Sequence, residues 1–89
     1  MNKPIENSER EKWHTNLGDC IIGISYSFDN SHLGVGTASG DVAIIALDNL
    51  KTTFIKNAHS QGVLCLEHSP TEYILATAGQ DGTIKLWNT

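Results

Sequence analysis

The sequence of 89 residues has little of several features that mark specialised classes of protein. Two cysteines, Cys20 and Cys65, are too few for a disulfide framework, so we expect free thiols that are buried or half-buried. Six Lys and Arg residues against ten Asp and Glu residues give a net charge of −4, which lacks the basic patch of a nucleic-acid-binding protein. The few aromatic residues are not interleaved with basic ones, which argues against a stacking platform for single-stranded nucleic acid.

Long apolar runs are also missing. No run reaches the length of a membrane span, and residues 1–7 have no apolar signal-peptide core. We therefore expect a soluble, cytoplasmic protein with no membrane partner. The length allows one small domain. Residues 1–8 contain Pro4 and show no periodicity, so we expect a flexible N-terminal tail.

The sequence from residue 63 to residue 88 has the pattern of three antiparallel strands. The apolar run Val63–Leu66 predicts a strand that is buried on both faces, and Pro70 ends it because proline lacks the N–H that a ladder needs. A second apolar run covers Tyr73–Ala78. Residues 79–82, Gly-Gln-Asp-Gly, predict a tight turn. Thr83–Trp87 alternates with strand period, so the three runs predict a meander.

An internal repeat relates this part of the chain to the part before it. Shifting the chain on itself so that Leu33 falls on Leu75 also places Gly40 on Gly82, together with the surrounding apolar runs. This shift, the repeat offset, aligns strands and turns together, which indicates a repeat. It predicts an earlier set of strands near 21–26, 32–36, 41–47 and 52–56. It also maps the last of these strands back onto residues 10–14, so we expect a further outer strand at Glu9–His14.

The second copy resembles one repeat of the WD-repeat β-propeller family. The resemblance is carried by Ala58-His59, Ser69-Pro70 and the stretch from Leu75 to Asn88, LATAGQDGTIKLWN. The family repeat has about 40–45 residues, with Gly-His near its start and Trp-Asp near its end; Ala58 and Asn88 depart from that pattern. The resemblance implies an all-β fold, a β-propeller of four-stranded antiparallel blades with two blades in this chain. Residues 9–56 would hold an outer strand and a degenerate first blade, and residues 57–89 three strands of a second blade.

The resemblance also implies a structural role for four polar residues of the second copy. They include the hydroxyl, imidazole and carboxylate of a catalytic triad, but at these family positions they form a buried hydrogen-bond network of His59, Thr77, Asp81 and Trp87. At the repeat offset the first copy has other residues at all four positions, namely Leu17, Val35, Ser39 and Ile45. A half-satisfied buried network costs more than none. Joint replacement therefore favours a structural network, and we predict no catalytic residues.

No cofactor or metal site is predicted. Cys65 and His68 have half of the spacing of a zinc site, but positions i and i+3 of a strand face opposite sides and no second pair exists. An enzyme with its active site in the propeller channel is the less favoured alternative, since no acid, base or nucleophile escapes a structural explanation.

Two blades would leave two apolar faces without a neighbour. About four large side chains on each face, at roughly 2 kcal/mol apiece, amount to something on the order of 8 kcal/mol, comparable with the stability of a small domain. We therefore expect further blades. They would come from copies of the same chain in a ring of six or eight blades, with the N-terminal strand completing the second blade. Alternatively, this is an N-terminal or engineered fragment of a larger propeller.

The function that the resemblance implies is a non-catalytic interaction scaffold. Family members often bind a protein or peptide on the face made by the loops that lead into each blade and by the turns between its second and third strands. In this sequence those positions are Thr15, Asp19, Ser39, Asp41, Ser60, Gln61 and Gln80. Asp19 and Asp41 give this face an acidic character, which favours a basic peptide.

Overall fold

The computed structural model describes residues 10–89, and all seven elements in this range are β-strands. They are β1 (Ile21–Tyr26), β2 (His32–Thr37), β3 (Val42–Ala46), β4 (Thr52–Ile55), β5 (Val63–His68), β6 (Ile74–Gly79) and β7 (Ile84–Asn88). The predicted all-β class is confirmed. Within residues 10–89 no helix is long and apolar enough to cross a membrane. The tail predicted for residues 1–8 lies outside the described residues.

The strands form two antiparallel sheets, and neighbours in sequence are neighbours in space. The first sheet has the order β1-β2-β3-β4 and the second has the order β5-β6-β7. Val35 pairs with Ala43 in the first sheet, and Thr77 pairs with Lys85 in the second, so the register repeats at the same offset as the sequence. Within residues 10–89, β7 has no strand on its outer side, whereas the equivalent strand β3 pairs with β4.

The two sheets pack face to face around a small apolar core. Its buried members are Val42, Ile44, Ala58, Val63 and Leu75. Glycines on β2 allow the close approach: a Cβ at Gly34 would lie 2.8 Å from Leu75 Cδ2, and a Cβ at Gly36 would lie 2.7 Å from Val63 Cγ1. Any larger residue at either glycine would push the sheets apart. The branched side chains of the second sheet therefore fill grooves that the first sheet leaves empty.

The two outer faces of this pair of sheets differ. On the second sheet, Ile84 and Leu86 remain 76% and 68% exposed, and two shallow depressions of about 340 and 240 Å³ lie beside them. On the outer face of the first sheet, three apolar residues are buried because Leu17, Leu33 and Leu47 pack against them; they are Val35, Ala43 and Ile45. Ile24, Tyr26 and Phe54 lie on this same face and remain 55%, 55% and 51% exposed, so the first sheet also keeps apolar side chains open on its outer face.

The outer strand predicted at Glu9–His14 is absent from the described part of that segment. Residues 11–14 are irregular and exposed, and they pair with neither sheet. Trp13 is the single apolar residue among four, and its burial is too small a gain to offset the entropy lost on ordering the segment. A strand here would need an edge to pair with and a face to cover.

The prediction that Val63–Leu66 is buried on both faces is also wrong. Val63 is buried, but Leu64 is 56% exposed and Cys65 is exposed as well. Leu64 is exposed at a β-bulge, since Val63 pairs with Gly79 and Cys65 with Ala78 and Leu64 is left without a partner on β6. Cys65 is exposed because it lies with Ala78 and Ile84 on the outer face of the second sheet. The strand also continues through Glu67 to His68, two residues beyond the predicted end.

Candidate functional site

The site is built around the imidazole of His59, in the loop between β4 and β5. His59 is fully buried, and its backbone N–H donates to the carbonyl of Gly40 in the first sheet at 2.9 Å. The ring lies against the backbone at the end of β6, where a Cβ on Gly79 would come 2.5 Å from Nδ1. Glycine is therefore required at position 79 for the ring to be seated at all.

The structure brings His59, Thr77 and Trp87 into one hydrogen-bonded chain. Trp87 Nε1–H donates to Thr77 Oγ1 at 2.9 Å, and Thr77 Oγ1 lies 2.8 Å from His59 Nε2. Because the Thr77 oxygen already accepts from Trp87, its own proton is free to go to Nε2. The proton of the imidazole then sits on Nδ1 and points towards the turn between β6 and β7. This tautomer leaves every donor in the chain with an acceptor.

Asp81 receives the other end of this chain. Its Oδ1 lies 3.1 Å from His59 Nδ1, and its Oδ2 accepts from the backbone N–H of Ser60 at 3.1 Å. Desolvation raises the pKa of Asp81, but hydrogen bonds from Thr83, Ser60 and His59 together outweigh that effect and hold the pKa well below its ordinary value. The carboxylate thus stays ionised and ties the loop before β5 to the β6–β7 turn.

Thr83 is a member of the network that the sequence reasoning missed. Its hydroxyl donates to Asp81 Oδ1 at 2.8 Å and lies 3.0 Å from His59 Nδ1, and its backbone N–H also donates to Asp81 Oδ1 at 3.1 Å. The last contact is the ordinary bond of an aspartate to the backbone two residues on in a turn. The sequence Asp-Gly-Thr therefore carried a signal that could have identified Thr83.

The network has no access to a substrate. The Thr77 hydroxyl is only 1% exposed, and its oxygen is shared between Trp87 and His59. A nucleophile must reach the reacting carbon and needs donors for the charge that develops there. Nothing of that kind adjoins this hydroxyl among the described residues. What the arrangement does is join a loop, two strands and a turn through one buried polar chain.

The first sheet makes the corresponding connection with different residues. Asp19, in the loop before β1, accepts from the backbone N–H of Ser39 in the β2–β3 turn at 2.9 Å. Hydrogen bonds from the Ser39 hydroxyl and N–H, and then from the Cys20 N–H, lower the pKa of Asp19 to about 2. In the second sheet the carboxylate of Asp81 lies on the turn and the N–H of Ser60 on the loop. In the first sheet the carboxylate lies on the loop and the N–H on the turn. The residue equivalent to Gly79 in the first sheet is Thr37, whose side chain is buried where the second sheet seats His59 against a glycine.

The seven loop residues predicted to contact a partner divide into two groups. Three of them hold the chain itself: Asp19 and Ser39 bind each other, and Asp41 accepts from Lys56 Nζ and from the backbone N–H of Asn57, each at 2.8 Å. The Lys56 bond lowers the pKa of Asp41, and Asp41 in turn raises the pKa of Lys56. The other four are exposed and make no side-chain hydrogen bond within residues 10–89; they are Thr15, Ser60, Gln61 and Gln80.

The bulged residues of the two inner strands project at this same edge. Ile22 on β1 and Leu64 on β5 occupy equivalent positions, each is skipped by the pairing register, and each is exposed. Both cysteines lie beside them as free and exposed thiols, so the expectation of buried or half-buried cysteines is wrong. A bulge repeated at the same place re-aims the same side chain in each sheet. The edge therefore carries two aliphatic side chains next to the exposed polar loops.

At the opposite edge, the β1–β2 and β5–β6 turns hold the two sheets together. Tyr73 donates its hydroxyl to Asp29 Oδ2 at 2.6 Å, and its ring lies 4.9 Å from the ring of Phe28. Hydrogen bonds from Ser31 and Tyr73 are the main reason that the pKa of Asp29 is well below its ordinary value. The same bond raises the pKa of Tyr73. This contact fixes the distance between the sheets at the end away from the candidate partner loops.

Two comparisons with known proteins point to one family. Residues 49–88 match the family model described as WD domain, G-beta repeat. This match spans all four of the predicted network residues, His59, Thr77, Asp81 and Trp87. An uncharacterized WD repeat-containing protein of Schizosaccharomyces pombe (strain 972 / ATCC 24843) is 30% identical to this chain over 78 residues. The aligned segment is 86% of this chain and 13% of that protein, so this chain spans a small part of its relative's length.

Proposed function

Because this chain belongs to the WD-repeat family, we propose that it is a non-catalytic protein-interaction module whose two sheets are blades of a larger β-propeller. WD repeats generally mediate contacts between proteins. The observation that carries the proposal is the outer face of the second sheet, where Ile84 and Leu86 are exposed beside an unpaired strand edge. Exposed aliphatic side chains of this size on a sheet face are typical of a surface that another element covers.

The element that fits this face is a further blade of the same kind. The core between the two sheets supplies the template, since Leu75 and Val63 there rest on Gly34, Gly36, Val42 and Ile44. At the repeat offset, the outer face of the second sheet presents Ala76, Ala78, Ile84 and Leu86 at these positions. A leucine and a valine from a third blade would rest on them in the same way. Ala76 and Ala78, at the positions equivalent to Gly34 and Gly36, are small residues that leave room for these side chains.

Two sources could supply that blade. A second copy of this chain would present Leu33 where Leu75 stands at the existing contact, and three or four copies would close rings of six or eight blades. On that face of the first sheet, Ile24, Tyr26 and Phe54 are exposed and available for such a contact. However, Leu17 and Leu47 cover its buried centre and would have to move aside. Further blades of a longer chain need no such movement, and the relative is a much longer protein.

Light scattering coupled to size exclusion separates these sources. A mass of three or four times 9.7 kDa at micromolar concentration supports the ring of copies. The double variant Ile84→Glu, Leu86→Glu should then return the mass to that of one chain, whereas the control Asn49→Glu, in the exposed turn between β3 and β4, should leave the mass unchanged. A single-chain mass that is unchanged by the double variant would rule out the ring. Proteins made with the neighbouring blades of a longer chain should then show protection of residues 84–88 from hydrogen exchange.

The partner surface that we propose is the edge formed by Ser60, Gln61 and Gln80 with the bulged Ile22 and Leu64. Because Asp19 and Asp41 are engaged within the chain, the recognition we propose here depends on uncharged polar contacts around an aliphatic centre. Leu64→Ser should lower binding of a captured partner at least tenfold, since truncating a central anchor commonly costs about 1.4 kcal/mol or more. Asn49→Ala, in the exposed turn between β3 and β4, is the matched control. Equal loss in both variants would contradict this surface.

A cytoplasmic location completes the proposal, and fluorescence microscopy of the tagged chain would test it.

A further inference from the structure

His68, at the end of β5, is a titratable side chain buried between the two sheets. It is 6% exposed, and its Nε2 has no hydrogen-bond partner among the described residues. Its Nδ1 lies 3.3 Å from Ser25 Oγ on β1, which also accepts from the His68 backbone N–H at 3.0 Å. The ring touches the glycine-lined surface of β2, where a Cβ on Gly34 would come 3.2 Å from Cε1. The imidazole is therefore part of the contact that joins the sheets.

The surroundings of His68 offer no compensation for a positive charge. On β1 the facing polar group is the neutral hydroxyl of Ser25, and on β6 the register partner is Leu75. On β2 the titratable neighbour is His32, which repels a second positive charge. The Asp29 carboxylate of the β1–β2 turn makes its hydrogen bonds with Ser31 and Tyr73 and none with His68. Glu67, the preceding residue of β5, is exposed on the opposite face of the strand.

We propose that His68 is an acid-sensitive latch between the two sheets. In the neutral ring, Nδ1 shares its contact with Ser25 and the unpartnered Nε2 is the acceptor. Protonation would place an N–H and a charge at Nε2, in a space with no acceptor and beside His32. The sheets then separate along β1, β2 and β5, which frees the ring to reach water. The bond between Tyr73 and Asp29 lies at this same end, and because the pKa of Asp29 is well below its ordinary value, that carboxylate stays ionised in the range where His68 takes up a proton.

The direction of the effect follows from the environment of the ring. Desolvation is the main cause that lowers the pKa of His68 from its ordinary 6.5, and His32 adds to it, against the Ser25 bond that raises it. The unfolded chain thus binds a proton at a higher pH than the folded chain does. Stability is complete above about pH 7 and falls as the pH drops through 6.5 towards the lowered value. For each unit by which folding lowers the pKa of His68, the ratio of folded to unfolded protein is about tenfold smaller at a pH below both pKa values than at neutral pH.

The test is urea denaturation of the whole chain between pH 7.5 and pH 5.0, with His68→Phe beside the native protein. Phe has a ring of similar size, and the equivalent position of the first sheet is the aromatic Tyr26. The ratio of folded to unfolded native protein should fall over this range, while His68→Phe should lose most of that dependence. His14→Gln is the matched control, because the His14 side chain is 78% exposed, and it should keep the native dependence.

A measurement on the native chain keeps the proposal testable if His68→Phe fails to fold. The imidazole proton resonances of His68 and His14 can be followed by NMR across the same pH range. A His68 midpoint below 6.5, with broadening of the Leu75 and Val63 methyl signals at that midpoint, supports the latch. A His68 midpoint at or above 6.5, or a protonation that leaves those methyl signals unchanged, overturns it. Either result is independent of whether further blades cover the outer face.

Discussion

The second sheet joins its leading loop to its turn through a buried imidazole, whereas the first sheet makes the same connection with one carboxylate near the surface. In the second sheet the chain runs from Trp87 through Thr77 and His59 to Asp81. In the first sheet aliphatic side chains fill the interior positions, and Asp19 alone reaches across to Ser39. In both sheets a carboxylate accepts from a backbone N–H between the leading loop and the turn. The carboxylate is on the turn in the second sheet and on the loop in the first.

The two solutions leave the backbone unchanged. The N–H of Ala38 donates to the Cys20 carbonyl at 2.9 Å, and the N–H of Gln80 donates to the Gly62 carbonyl at 2.8 Å. These two bonds are equivalent at the repeat offset. The geometry of the repeat is therefore carried by main-chain pairing and glycine placement, and the interior accepts either a complete polar network or a complete apolar filling. A mixture of the two is what it should reject.

The largest effect is expected from Trp87→Ala. The substitution removes a large side chain from the contact between the sheets and takes away the donor that fixes the Thr77 hydroxyl. We expect a loss of about 3–5 kcal/mol in the free energy of unfolding, measured by urea denaturation. Ile45→Ala, at the equivalent position of the first sheet, should cost about 2–5 kcal/mol through the cavity alone. A cost below about 1 kcal/mol for Trp87→Ala would mean that the network does not hold the second sheet.

Exchanging one residue between the two interiors tests their incompatibility. Thr77→Val leaves the Trp87 N–H and the His59 ring without their shared partner, which should cost about 1–3 kcal/mol. The reverse exchange, Val35→Thr, buries a hydroxyl among aliphatic side chains and should cost a similar amount. Neutral effects of both exchanges, measured in the same denaturation experiment, would show that the interiors tolerate mixed chemistry.

The carboxylates are expected to give a smaller effect that depends on pH. Because the pKa of Asp19 is lowered to about 2, its contribution is complete above about pH 4 and is lost as the pH falls through 2. Asp19→Asn should therefore lower the thermal midpoint at pH 7, and the difference from the native chain should shrink steadily between pH 4 and pH 2. Asp81→Asn should behave alike but remain distinct at lower pH. Asp48→Asn, exposed in the turn before β4, serves as the control. A difference that persists unchanged at pH 2 would contradict the assignment for Asp19.

Much of this could be predicted from the sequence because it depends on local pattern. Alternation, Pro70 and the Asp81-Gly82 turn define the strands, and the repeat offset carries the register from one sheet to the other. What the sequence did not reveal depends on neighbours in space. The exposure of Leu64 at a bulge contradicts the reading based on hydrophobicity. The repeat offset also did not reveal the role of Asp19. The turn position equivalent to Asp81 is Ser39 in the first sheet, and the carboxylate that bonds to Ser39 lies 20 residues earlier in the sequence.

The smallest effect should come from Tyr73→Phe, and it tests whether the comparison between the sheets extends to how they are joined. The hydroxyl bond to Asp29 links two turns that face water, so its loss should lower the thermal midpoint by no more than about 4 °C. The ring contact with Phe28 remains in this variant. Tyr26→Phe is the matched control, because its exposed hydroxyl makes no hydrogen bond within residues 10–89. Equal midpoints for the two variants would show that ring packing, and not the hydrogen bond, joins the sheets at this end. A drop much larger than about 4 °C would instead make this bond as important to the interface as the buried core.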